Sequence, residues 1–271
     1  MNLTDARVVL TGAAGGIGSA IAQRLANAGA TLLVTDLRQE PLDRLARQLA
    51  PTAPRTVVAD IGSDSGRAAL AAAARELGAD VLINAAGINP FGMFGEQTAA
   101  EIGKAFAINA IAPILLCHAL LPVLRERPRA HIVNVGSTFG SIGFPGFAAY
   151  SASKFAVRGF TEALRQELAA TNVRVTSVHP GGIKTNIVRN GRHFQDVAGN
   201  ADPEVVAREF DRMARTSPEE AARQIAHAIL RRKPRLLIGL DAILIDRMQR
   251  LMPASYDGLV AKAVARRPAA N

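Results

Sequence analysis

The chain has no tryptophan, one cysteine and only two tyrosines. A single cysteine, Cys117, excludes an internal disulfide and suits a reducing compartment. Aromatic residues make up 4% of the sequence, too few to interleave with basic groups as a nucleic-acid surface requires. The most apolar stretch, residues 107–124, is interrupted by Asn109, Pro113, His118 and Pro122, which predicts a buried helix rather than a membrane span. No signal peptide is visible, because MNLTDARVVLTG runs straight into a strand. The formal charge is +9, with the surplus beyond residue 120. Those cations are scattered and form no long tract, so they predict an arginine-rich solvated surface and no nucleic-acid partner. The expectation is a soluble, cytoplasmic protein.

What is abundant is apolar material, 49% of residues, in a regular alternation. Strand-like runs RVVLTG, ATLLVTD, RTVVAD, DVLINAAG, HIVNVGS, VRVTSVHPG and RLLIG alternate with helical segments. Examples of the latter are IGSAIAQRLANAG, with Gly29 as its expected C-cap, and SPEEAARQIAHAILRR. Continuous apolar strands between helices specify a parallel sheet covered on both faces. No linker, repeat or low-complexity tract divides the chain. The predicted fold class is α/β: a single-domain, Rossmann-type, doubly wound parallel sheet with helices on both faces. It is expected to span residues 1–240, followed by an amphipathic extension over 241–271. Residues 184–216 read as a long irregular insert of the kind that forms a lid or binding loop.

The first strand ends in TGAAGGIG, which places Gly12, Gly16 and Gly18 at a strand-to-helix turn. Glycine there permits positive φ and close approach of the backbone to a pyrophosphate. The helix N-terminus adds free N–H groups and a positive dipole end. Strand, helix and next strand are all in place, the context that makes such a motif a dinucleotide site. Asp36 ends the second strand, where a carboxylate can accept bonds from the adenosine ribose hydroxyls and repels a 2′-phosphate. Leu37, Ala13 and Ala14 supply no cation for that phosphate. NAD is therefore expected over NADP, with Arg38 the nearby cation that argues the other way.

In AAYSASKFAV, Tyr150 and Lys154 stand four residues apart and share one face of a helix. An ammonium near the phenol stabilises phenolate and lowers the tyrosine pKa from about 10, which makes tyrosine a usable acid or base. Ser137 ends the strand HIVNVGS, on the sheet edge where ligands of open α/β folds bind. Pro113 lies inside a helical pattern four residues after Asn109. Lacking an N–H, it leaves the Asn109 carbonyl without its helical partner; the consequence is either a held water or a packing kink.

Together, TGAAGGIG, NAAG at 84–87, Asn109, Ser137, YSASK and PGGIKT at 180–185 resemble the short-chain dehydrogenase/reductase family over roughly residues 5–240. The resemblance implies an NAD(P)-dependent enzyme with Tyr150 as catalytic acid/base and Ser137 bonding the reacting oxygen. It implies that Lys154 lowers the Tyr150 pKa and binds the nicotinamide ribose, and that a water on the Asn109 carbonyl continues the proton path. It implies a cofactor site of Gly12, Gly16, Ile17 and Gly18, with Asp36 on the ribose and Asp60 and Ile61 beside the adenine. Asn84, Ala85 and Gly87 would shape the cleft, Pro180 and Gly181 would border the nicotinamide, and Ile183 and Thr185 would hold its carboxamide. No metal is expected.

Phe91, Phe94, Phe139, Phe144, Phe147 and Phe194 fall in predicted loops and can line an apolar pocket, while Arg192 and His193 of the lid are expected to face solvent. The leading expectation is an NAD-dependent enzyme interconverting an apolar secondary alcohol and its ketone. A 3-oxoacyl-thioester reductase is the alternative reaction, and a dinucleotide-sensing or scaffold protein is the non-enzyme alternative. A homodimer or homotetramer is expected, by the resemblance, through the tyrosine-bearing helix, where Phe155, Phe160, Ala163 and Leu164 supply either that face or a face to the sheet. In the extension, Leu244, Ile245, Met248, Leu251 and Met252 share one helical face, and Tyr256, Leu259, Val260, Ala263 and Val264 repeat the spacing. Each stripe must be buried somewhere, and the expected cover is protein. Arg247, Arg250, Lys262, Arg266 and Arg267 keep an anionic membrane surface open as the alternative.

Overall fold

Runs such as VVL, LLV and VLI are apolar at consecutive positions, and a strand buried on both faces requires this. The computed structural model describes residues 3–49, 53–195, 199 and 202–265, with side chains described as far as residue 261. Strands β1 (Arg7–Thr11), β2 (Thr31–Asp36), β3 (Arg55–Val58), β4 (Val81–Asn84), β5 (Ala130–Val135), β6 (Val173–Pro180) and β7 (Arg235–Ile238) pair in the order β3-β2-β1-β4-β5-β6-β7, parallel throughout. Helices α1 (Gly16–Ala26), α2 (Gln39–Gln48), α3 (Asp64–Leu77), α4 (Ala99–Phe106), α5 (Ala112–Arg125), α6 (Ala148–Glu167) and α8 (Pro218–Arg231) cover its two faces. One core joins Leu10, Ile21, Leu25, Val34, Leu42, Ile225 and Ile229; the other joins Val9, Leu33, Leu70, Leu82, Leu116, Leu120 and Ile132. The apolar run 107–124 belongs to the second core, although Ala99–Arg125 is long and apolar enough to cross a membrane by composition alone.

Some boundaries differ from expectation. α1 ends at Ala26, and Gly29 instead closes the following turn in the left-handed region, at φ +84°. The buried helix expected over 107–124 opens instead with a π-helical segment, Ala107–Ile111, between α4 and α5. The physical cause is Pro113, which removes the N–H that an α-helix would aim at the Asn109 carbonyl.

The insert 184–216 is not wholly irregular. It contains α7 (Pro203–Met213), started by the Asp202 carboxylate accepting the Glu204 N–H at 2.8 Å, with Pro203 in the first turn. Residues 196–198, 200 and 201 of the expected lid lie outside the described residues.

The extension forms α9 (Leu240–Leu251) and α10 (Tyr256–Ala265). Its expected apolar face is not the one α9 buries: Leu244 and Leu251 are exposed, whereas Ala242 and Asp246 are buried. An ion pair sets this rotation, because the Asp246 carboxylate is gripped by Arg235 of β7 at 2.9 Å and by Arg250 at 3.0 Å. A buried carboxylate must keep such partners. Of the second stripe, Val260 is buried and Leu259 exposed. Arg266, Arg267 and the side chains of Lys262, Ala263 and Val264 lie outside the described residues.

Candidate active site

The sheet order reverses between β1 and β4, and ligands of open α/β sheets bind at such a switch point. Gly12 stands there at φ +64°, and a Cβ on it would lie 2.6 Å from the Ala86 Cα. The loop therefore closes against the backbone of residues 85–86, which Thr11 also pins: its hydroxyl accepts the Ala85 and Ala86 N–H groups at 3.1 and 3.2 Å. α1 starts with no capping side chain and no acid in its first turn. Ser63, Thr98, Asp202 and Ser217 cap α3, α4, α7 and α8. The N–H groups of Gly16, Ile17 and Gly18 thus lack the partner those helices have, which fits a phosphate.

The Asp36 carboxylate accepts the Ala14 N–H at 2.9 Å and the Leu37 N–H at 2.8 Å, which holds it beside the glycine loop. Arg38 is exposed. Asp60 accepts the Gly62 N–H at 2.8 Å, and Ile61 is buried next to it. Ala85 and Gly87 lie along the cleft, but the Asn84 side chain turns away from it and donates to the Asn134 Oδ1 at 2.8 Å inside the sheet–helix layer. Pro180 ends β6, Ile183 bridges to Thr216, and the Thr185 side chain fills the space in which a side chain on Gly16 would stand.

Tyr150 and Lys154 are buried on the inner face of α6, with the Lys154 Nζ 5.7 Å from the tyrosine ring centroid and donating to the Val135 carbonyl at 3.2 Å. Ser137, at the end of β5, is the one group that pulls the Tyr150 hydroxyl's pKa down, and its own Oγ accepts the Phe139 N–H at 3.1 Å. The Asn109 side chain accepts the Ile88 N–H and donates to the Ile88 carbonyl, both at 2.9 Å, and donates to Ser153 Oγ at 3.0 Å. Ser153 in turn donates to the Tyr150 carbonyl at 2.7 Å. A Cβ on Gly87 would stand 3.2 Å from Asn109 Oδ1 and 3.4 Å from Lys154 Nζ. Asn109, Ser137, Tyr150 and Lys154, scattered over residues 109–154, thus meet at one place.

Burial dominates the titration of both central groups. It pushes the Tyr150 hydroxyl up to about 12, with Ser137 pulling the other way. It pulls the Lys154 ammonium down to about 8. The lysine was expected to lower the tyrosine; burial instead holds the hydroxyl above its ordinary value, and the opposing group is Ser137.

Those surroundings are aromatic. Phe147 lies 4.7 Å from Phe139 and 4.8 Å from Phe91, and Phe139 and Phe147 both present edges to Tyr150 at 6.3 and 6.2 Å. Phe144 stacks on Phe139 at 5.5 Å. Phe94 is exposed and stays apart. The lid is laced to this wall by backbone bonds, Phe91 N–H to the Arg192 carbonyl at 2.9 Å and Phe194 N–H to the Phe91 carbonyl at 2.8 Å. His193 does not face solvent as expected: its ring packs 6.0 Å from Phe91 and its Nε2 meets the Val188 carbonyl at 2.7 Å. Arg192 is exposed.

Residues 6–196 match the profile of the short chain dehydrogenase family. The chain belongs to the short-chain dehydrogenase/reductase family. The SadH protein of Mycobacterium tuberculosis, provisionally named an oxidoreductase, is 38% identical over 266 residues, covering 95% of each chain. Dehydrogenase/reductase SDR family member 7B of Xenopus tropicalis is 32% identical over 273 residues, covering 96% of this chain and 85% of the relative. Among solved structures, a short-chain dehydrogenase from Streptomyces avermitilis superposes with a TM-score of 0.82 at 31% identity, covering 97% of this chain and 98% of that one. A Burkholderia phymatum member, solved in complex with NAD, shares the fold at a TM-score of 0.85 and 23% identity, covering 100% and 99%.

This short-chain dehydrogenase/reductase is thus an NAD(P)-dependent oxidoreductase with a nicotinamide cofactor. Two groups at its sheet edge have no place in the sequence-based list. Thr11 carried a usable signal, a hydroxyl ending the strand before the glycine loop. Asp241 carried none, because its partner lies 59 residues away.

Proposed function

We propose that the enzyme interconverts an apolar secondary alcohol and its ketone with NAD as the preferred cofactor. The observation that carries the substrate class is the wall of half-buried phenylalanine rings, Phe139, Phe144 and Phe147, converging on Tyr150. Such a surface gains by covering apolar groups and offers a thioester's polar carrier no partner. A bound nicotinamide supplies the hydride acceptor and donor. The chain supplies position and a proton path. The Tyr150 hydroxyl exchanges a proton with the substrate oxygen, and Ser137 donates a hydrogen bond to that same oxygen. The charged Lys154 stabilises the phenolate form and holds the nicotinamide ribose, while the Asn109 carbonyl, freed by Pro113, holds the water that relays the proton outward. At neutral pH the buried hydroxyl carries its proton, the form that protonates a ketone. The test is spectroscopic NADH turnover over a panel of hydroxy lipids, steroids, diols and 3-oxoacyl thioesters. Turnover confined to the thioesters overturns the substrate class.

The cofactor preference rests on Asp36. Its carboxylate is held beside the glycine loop by the Ala14 and Leu37 N–H groups, and a negative charge there supports the reading because it repels a 2′-phosphate. Steady-state kinetics should give a higher kcat/KM with NAD than with NADP. Asp36→Ala should narrow the ratio about tenfold or more, the worth of one charge-assisted interaction. A wild-type preference for NADP would show that Arg38 overrides the carboxylate.

The domain division is proposed as residues 1–240 for the catalytic body and 241–271 for an extension packed on it. A homo-oligomer is proposed through the outer faces of α5 and α6. Leu164 faces the core and Phe160 packs against it, so neither serves that face. Phe155 and Ala163 remain outside, joined by exposed Ile111, the last residue of the π-helical segment, and Leu115 of α5. Light scattering at micromolar concentration should report at least a dimer, and Phe155→Glu should shift it toward monomer. A monomeric wild type removes the proposal.

A further inference from the structure

The turn leaving β6, residues 180–185, is held by a carboxylate from the C-terminal extension. Asp241, in the first turn of α9, accepts the Gly182 N–H through Oδ2 at 2.6 Å. Its carboxylate occupies the space in which a side chain on Gly181 or on Gly239 would stand, so neither position has room for a Cβ. The Gly181 N–H is also used, donating to the Ile238 carbonyl at 2.9 Å. On the opposite side the turn is bonded to residue 216: Lys184 N–H to the Thr216 carbonyl at 3.0 Å, and Thr216 N–H to the Gly182 carbonyl at 3.4 Å. The turn is thus clamped between α9 and residue 216. Thr185 then carries its position to the glycine loop, since the threonine side chain abuts Gly16. Asp241 can act as a fixed post because it stands three residues after the end of β7 at Ile238, in the first turn of α9.

We infer that Asp241 is a positioning residue for cofactor binding: it sets the turn 180–185 in the arrangement that receives the nicotinamide end of the dinucleotide. The inference rests on the reading of that turn as the nicotinamide side. What matters is an acceptor oxygen at the end of a short side chain, since the contact is one hydrogen bond to a backbone amide.

Two measurements test it: NADH fluorescence titration, and hydrogen–deuterium exchange of the unliganded protein across residues 177–186. Asp241→Ala should weaken NADH binding about 10- to 100-fold and raise exchange at Gly182. Asp241→Asn keeps an acceptor oxygen and should recover most of both. Asp241→Ser, whose oxygen stops short of the amide, should weaken NADH in the same direction and keeps the test open if the alanine variant does not fold. Asp246→Asn is the control for mere tail stability: it should lower Tm with NADH affinity close to wild type. Unchanged NADH affinity in Asp241→Ala and Asp241→Ser overturns the inference, and so does equal weakening in Asp246→Asn. Raised exchange at Gly182 with unchanged affinity shows that the turn does not receive the nicotinamide, and overturns it as well. A wild type that binds NADPH in place of NADH removes only the proposed preference, and the same comparison is then made with NADPH.

Discussion

Tyr150→Phe is expected to lower turnover about 10²–10⁴-fold, the usual worth of a positioned general acid or base, with NADH affinity little changed. The substitution removes one oxygen and keeps the ring. That ring presents its packing surface to Phe139 and Phe147 at 6.3 and 6.2 Å, and phenylalanine can make the same contacts. The lost hydroxyl belongs to a buried residue, and Ser137 keeps its bond from the Phe139 N–H without it, so its removal leaves only a small change in packing. Folding stability should therefore move little, and the loss should fall on kcat. Turnover is followed by NADH absorbance on whichever substrate the panel selects, and affinity by NADH fluorescence. Near-normal turnover in the variant would mean that another group carries the proton, and the mechanism proposed here would fall.

The four residues of this centre were legible because each has a local signature. Tyr150 and Lys154 share a helix face at four-residue spacing, Ser137 ends an apolar strand, and Asn109 precedes a proline inside a helical pattern. The parallel sheet covered on both faces followed from the alternation of buried strands and helices, and the carboxyl-end location of the cleft from the general rule for such sheets. What stayed hidden depends on contacts between distant segments. The phenylalanines could be counted in loops, but their clustering beside Tyr150 requires residue 91, after β4, to meet residues 139, 144 and 147, between β5 and α6. That convergence is what desolvates the hydroxyl and reverses the expected direction of its pKa. The Asn84 side chain reads as cleft-lining from its motif, yet its partner Asn134 lies on the neighbouring strand β5, in register with it. The setting of α9 was misjudged because an apolar stripe was weighed and an ion pair to Arg235 was not. α7, by contrast, was readable: Asp202-Pro203-Glu204 is a helix start followed by apolar Val206, Phe210 and Met213 at helical spacing.

Lys154→Met is expected to do two opposite things, and together they separate its catalytic role from a structural one. Turnover should fall about 10²-fold or more, because the charge that stabilises the phenolate is gone. NADH affinity should fall as well, since the same ammonium is assigned to the ribose. The unliganded protein, however, should become more stable. Burial pulls the folded-state pKa from 10.5 to about 8, so at neutral pH the fold carries a charge that its surroundings disfavour. At 1.36 kcal/mol per unit this penalty is on the order of 3 kcal/mol. Against it stands the lost hydrogen bond to the Val135 carbonyl, worth about 1 kcal/mol. Methionine matches the length and flexibility of the lysine stem, so packing should change little. The net gain, about 2 kcal/mol by these two magnitudes, should raise the apo Tm by several degrees at pH 7. The gain has a definite pH window. Below pH 8 both folded and unfolded wild type are protonated and the whole penalty is present. As pH rises from 8 to 10.5 the folded lysine is neutral while the unfolded one still binds its proton, so wild-type stability climbs toward the variant. The Tm difference between variant and wild type should therefore shrink across that interval, with Tyr150 common to both proteins and cancelling. A variant less stable than wild type at pH 7, or a Tm difference independent of pH between 8 and 10.5, would show that Lys154 is held in this site at no electrostatic cost.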